Sequence, residues 1–117
     1  MRNSVVRILV CIAGLVVLNG AALAASAENG KIAYVKNGCW QCHGLQGQGS
    51  LVTSGGTVLA NTALPFEAFE NFVRSTNRAM PPYREAILSS ADLADIYAYL
   101  QSIPKPPDVN NIPLLKP

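Results

Sequence analysis

GCWQCHG, residues 38–44, places Cys39 and Cys42 two residues apart with His43 directly behind the second thiol. Such a cluster holds a metal, forms a redox disulfide or anchors a cofactor, and each choice implies a different fold. A structural zinc site needs four ligands, usually two Cys/His pairs. Here the second pair is missing, because His43 is the only histidine and the third cysteine, Cys11, lies far upstream in an apolar run. Completing the set with carboxylates is unusual. Redox C-x-x-C pairs stand at a helix start near a βαβ pattern, and no strand signal flanks this one. An inert disulfide across so short a loop constrains little of the unfolded chain, and it leaves the adjacent histidine unexplained.

The N-terminus bears on this choice. Arg2 and Arg7 precede an apolar run from Ile8 to Leu18, and Ala22 and Ala24 then fit an A-x-A cleavage pattern. A basic start, a short apolar centre and a small-residue end describe a secretory signal peptide. We expect removal of residues 1–24, with cleavage after Ala27 as the alternative. The uninterrupted apolar run falls short of the ~20 residues of a spanning helix, so no stable membrane span is expected after removal. Val10 is too large for a typical lipoprotein cleavage site before Cys11. Without the leader, seven basic residues face seven acidic ones, a net charge of about zero with no basic stripe for nucleic acid. The mature chain, about 90 residues, is of a size at which a self-made core is marginal.

The remaining pattern is helical. Residues 28–37 read as a short helix, and residues 44–56, rich in glycine, read as a loop. Pro65 suits a helix start, and Phe66, Phe69, Phe72 and Val73 recur at helical spacing on one face. Pro81 and Pro82 force an extended path through STNRAMPPYREAIL. Ser89 and Asp92 form a capping pattern that opens the clearest helix, with Leu93, Ile96, Tyr97 and Leu100 as its buried stripe and Tyr99 beside it. Pro104 ends that helix, and the proline-rich tail, residues 104–117, is expected to be extended. The folded domain is thus residues 28–103.

The third reading of the motif is C-x-x-C-H as a c-type haem attachment site. Each thiol adds to one vinyl group of the porphyrin, and the two intervening residues span the gap between them. The next residue then lies under the iron, where the imidazole of His43 serves as proximal ligand. A covalently held haem is not lost after export, and its flat apolar body supplies the core that a short chain lacks.

With these residues, the region from about Gly30 to Ile103 resembles the class I c-type cytochromes of the small bacterial, single-haem kind. Gly30 and Tyr34 match the N-terminal helix of that family. Cys39, Cys42 and His43 match its haem motif, Met80 in RAMPPY its sixth-ligand methionine, and Ile96 and Tyr99 its C-terminal helix. The resemblance implies an all-α, cytochrome c-like fold of three to four short helices around one covalent haem c. Met80 also stands on its own argument, since it is the one methionine left after the leader, its thioether is soft, and two prolines follow it. A methionine that merely fills a core gap is the plainer role. One departure is Thr57, which stands where many relatives have the proline of a Gly-Pro pair, a place at which a backbone carbonyl accepts the hydrogen bond of the proximal histidine; a backbone carbonyl can do this without that proline. Tyr83 and Arg84 are candidates for the haem edge, and Trp40 for a partner contact.

With both axial positions filled by protein there is no open iron site for substrate. The expected function is therefore one-electron transfer in the periplasm rather than catalysis. The donor would be a periplasmic dehydrogenase, with this chain as free shuttle or bound cytochrome subunit, and the acceptor an oxidase or another cytochrome. The alternative is a haem-based small-ligand sensor or weak peroxidase in which Met80 is displaced. N-terminal sequencing of the exported protein is expected to begin at Ala25; a product that keeps residues 1–24 overturns the leader assignment.

Overall fold

The computed structural model describes residues 24–50 and 56–115. The expected leader, apart from Ala24, lies outside the described residues. Four helices and no strands make up the described chain: α1 (Ala27–Lys36), the single turn α2 (Trp40–His43), α3 (Phe66–Ser75) and α4 (Ser90–Ser102). This is the all-α, cytochrome c-like arrangement expected. Among the described residues no helix is long and apolar enough to cross a membrane.

Helix α1 starts where Ser26 caps it, its Oγ accepting from the Asn29 N–H at 3.2 Å. The Ser26 N–H itself donates to Asp95 Oδ1 at 2.6 Å, tying the start of α1 to the middle of α4. The two helices cross at Gly30, where a Cβ would overlap the Asp95 carbonyl. Only glycine permits so close an approach. Around the crossing, Tyr34 is fully buried and its ring lies 5.6 Å from that of Tyr99.

Helix α3 begins after Pro65 and buries Phe69 and Val73. Its aromatic stripe divides: Phe66 and Phe69 stack on Tyr97 of α4, with centroids 5.4 and 5.3 Å apart, whereas Phe72 is 52% exposed. The face that these residues share is therefore not buried evenly, because α3 meets α4 along a narrow strip that leaves its far edge open. In α4 the capping pattern is realised, Ser89 Oγ accepting from the Asp92 N–H at 3.1 Å. Leu93, Ile96 and Leu100 are buried as expected, but Tyr99 takes the fourth buried place. Tyr97 is half-buried with its hydroxyl donating to the Leu64 carbonyl at 2.8 Å.

Two irregular segments complete the frame. Asn61, at φ 54°, donates its N–H to the Leu100 carbonyl and its Nδ2 to the Ile103 carbonyl, at 2.9 and 2.6 Å. These bonds satisfy carbonyls that the end of α4 leaves free. Beyond Ile103 the tail is exposed almost throughout and forms two 3-10 turns, Val109–Asn111 and Pro113–Leu115. It is therefore not uniformly extended, since the Asp108 carboxylate accepts from the Asn110 N–H and starts the first turn. Replacing Gly30 by alanine is expected to cost on the order of 1–3 kcal/mol through overpacking at the crossing, measured by denaturant unfolding.

Candidate functional site

The motif follows directly from the end of α1. Asn37 closes α1, its N–H donating to the Ala33 carbonyl at 3.0 Å, and Cys39 follows with its N–H on the Tyr34 carbonyl at 3.2 Å. Helix α2 then winds the two cysteines and His43 into one turn. Two buried phenols hold the exit of that turn. The Tyr34 hydroxyl donates to the Gly44 carbonyl at 2.8 Å, and the Tyr99 hydroxyl donates to the Leu45 carbonyl at 2.9 Å. Burial pushes the Tyr34 phenol well above its usual range, so it remains a hydrogen-bond donor at any physiological pH.

The glycine loop returns against the motif. Gly56 lies so near that a Cβ would overlap the Cys42 carbonyl, and the Gly49 N–H donates to the His43 carbonyl at 2.8 Å. This contact brings Thr57 into place, and His43 Nδ1 lies 2.9 Å from the Thr57 carbonyl oxygen. A carbonyl only accepts, so Nδ1 is the nitrogen that donates, and in the neutral ring Nε2 then keeps its lone pair. The residue that replaces the family's proline thus supplies the acceptor through its backbone, and this is the arrangement that orients a metal-binding imidazole.

Cys39, Cys42, His43 and Met80 line one cavity of about 280 Å³. Its walls are mostly apolar and include Phe69, Leu88, Leu93 and Ile96. Ala79 and Pro81, the neighbours of Met80, line it too, as do Gly56, Thr57 and Leu59. Cys42 is exposed and Cys39 half-buried, so the cavity opens to solvent beside the motif. A more open groove of about 680 Å³ between Lys31, Val35 and Pro104–Pro107 contains none of these four residues.

The donor set suits a haem and not the rival chemistries. Two free thiols, an imidazole with Nε2 available and a thioether share an apolar cleft, the set needed for two covalent anchors and two axial ligands. Burial pushes the Cys39 thiol up to about 11, the reverse of the lowered pKa with which redox C-x-x-C pairs attack. Among the described residues no three His, Cys, Asp or Glu side chains gather as a metal site.

Of the other candidates, Tyr83 lines the cavity, while Arg84 is exposed and does not. Trp40 is 40% exposed and outside the cavity wall. Phe69 and Phe72 both reach the cavity, Phe72 at its open rim. Sequence reasoning missed Arg74, which donates to backbone carbonyls on both sides of the turn after Met80. It also missed the two tyrosine hydroxyls behind His43; their rings carry a packing signal, but nothing in the sequence shows where a hydroxyl ends.

Because Thr57 acts through its carbonyl, Thr57→Val is expected to leave the visible spectrum and midpoint potential of the haem-loaded protein unchanged. Gly56→Ala, which must push the loop off Cys42, is expected to shift the potential and lower the melting temperature. Spectroelectrochemistry on the pair checks both.

Neither a curated protein nor a solved structure matches the chain. The model of one family, described as cytochrome c oxidase, cbb3-type, subunit III, matches residues 25–100, from the residue before the α1 cap into the last turns of α4. With the motif, the helical frame and the cavity all inside that match, the chain belongs to this family of c-type cytochrome domains, proteins that transfer electrons through covalently bound haem c.

Proposed function

We propose that this chain is an exported c-type cytochrome with a single haem, attached through Cys39 and Cys42 and ligated by His43 Nε2 and the Met80 sulfur. The observation that carries the proposal is the bond from His43 Nδ1 to the Thr57 carbonyl, at the wall of a cavity that Met80 also lines. Haem supplies one-electron cycling of its iron, and a Met/His pair places the potential high relative to bis-imidazole ligation. The chain's own residues do the rest. Thr57 fixes the imidazole, the two tyrosine hydroxyls hold the backbone just after it, the apolar wall limits water, and the opening beside Cys42 gives a partner access.

Export and partners belong to the same proposal. Cleavage after Ala24 keeps Ser26, which caps α1 and bonds Asp95, whereas cleavage after Ala27 would remove it. The earlier cut is therefore favoured. A periplasmic dehydrogenase as donor and an oxidase or second cytochrome as acceptor suit a protein with near-neutral charge, for which long-range steering is weak. The exposed tail, with Leu114 at 94% and Leu115 at 62% exposure, favours a bound subunit over a free shuttle. Co-elution with a catalytic subunit at high salt supports that assignment, and a monomer at every ionic strength removes it.

Haem staining on a denaturing gel is expected to be positive and to be lost when both cysteines are replaced by alanine. Met80→Ala is expected to keep the haem but lose the low-spin, methionine-ligated spectrum. An unchanged visible spectrum overturns the ligand assignment. Carbon monoxide binding by the unaltered ferrous protein at neutral pH would favour the sensor or peroxidase reading instead.

A further inference from the structure

The segment that carries Met80 has no hydrogen-bonded support of its own. From Asn77 through Pro82 the backbone makes no backbone–backbone hydrogen bond among the described residues. Pro81 and Pro82 lack N–H groups and have fixed φ angles, so Met80-Pro81-Pro82-Tyr83 is a stiff strut whose far end is Tyr83. That end is held three times. The Tyr83 N–H donates to the Val73 carbonyl at 2.9 Å, its carbonyl accepts from Arg74 Nη1 at 3.0 Å, and its hydroxyl donates to the Asn37 carbonyl at 3.0 Å. Asn37 closes α1 two residues before Cys39, so this hydroxyl ties the Met80 strut to the turn that bears the cysteines.

Arg74 binds more than Tyr83. Its guanidinium also donates to the Leu88 carbonyl at 2.5 Å and to Ser90 Oγ at 3.2 Å, and it pairs with Glu70 at 3.5 Å. One nitrogen, Nη1, thereby grips both ends of the Tyr83–Leu88 turn, while Nη2 faces Ser90 and Glu70. A lysine, a point charge on a flexible stem, lacks the second nitrogen that holds the first in this direction.

We propose that Arg74 and Tyr83 are positioning residues for the Met80 thioether, setting through the proline strut how firmly it is presented to the iron. The proposal rests on the ligand reading given above. An iron–thioether bond is weak and depends on geometry imposed from outside, and these two side chains are the parts of the structure that impose it.

The test uses the haem-loaded protein. The ferric form is titrated with imidazole, which competes with the thioether, and the midpoint potential is measured on the same samples. Tyr83→Phe, which removes one oxygen and keeps the ring, is expected to bind imidazole roughly fivefold more tightly, the equivalent of one hydrogen bond. Arg74→Gln is expected to exceed roughly tenfold, because hydrogen bonds from a charged donor are the stronger ones, with Arg74→Lys between the two. The potential is expected to fall in the same order, toward that of Met80→Ala. Ser26→Ala, which removes the α1 cap far from Met80, controls for a general loss of stability. If Tyr83→Phe and the Arg74 variants bind imidazole like the unaltered protein, or no more than Ser26→Ala does, the positioning role is overturned. If Met80→Ala itself leaves spectrum and imidazole affinity unchanged, the ligand reading fails instead. Should Arg74→Gln fail to fold, Tyr83→Phe decides.

Discussion

The close crossing of α1 over α4 at Gly30 is the constraint on which the remainder of the structure hangs. With no side chain between them, the backbones of the two helices meet at Asp95, and Tyr34 and Tyr99 are brought ring to ring just beyond. Their hydroxyls then reach the two successive carbonyls behind His43. The backbone that follows His43 is thus held by residues of the two crossing helices. A side chain at position 30 would separate the helices and release the motif without touching it.

A second constraint is the cavity. Among the described residues nine side chains form the buried core, and several of them also line the cleft. For a chain this short, burial of apolar surface in a self-made core is barely sufficient. An apolar group seated there would complete the core, which links the folding of such a chain to its cofactor chemistry. Covalent attachment suits this economy because the group that finishes the core cannot then dissociate.

Helices α3 and α4 were legible because each carried a local signal with a physical basis, Pro65 at a helix start and the Ser89 cap, and the proline pair marked the break in the path near Met80; the Ser26 cap of α1 came only from the structure. The C-x-x-C-H motif stands out in the sequence because haem attachment, the role proposed for Cys39 and Cys42, requires that spacing. Tyr97 was expected in the buried stripe and is half-buried, because periodicity locates a face of a helix, whereas burial depends on how wide a strip the neighbour covers. The tail's 3-10 turns escaped because prolines dominate its composition while one Asp108 side chain organises its backbone.

By itself, the sequence determined the chemistry of the site, since two thiols, one imidazole and one thioether limit what the chain can hold, and it determined the helical elements through caps, prolines and apolar spacing. Only the tertiary structure decided which backbone carbonyl receives His43 Nδ1. Any residue can offer a carbonyl, and the choice of Thr57 follows from Gly56 fitting against Cys42. Likewise only the tertiary structure gave Arg74 its place under the Met80 turn. Hydrogen bonds between a side chain and a distant backbone leave no periodic trace, because their acceptors are common to all twenty residues and their geometry exists only once the chain has closed.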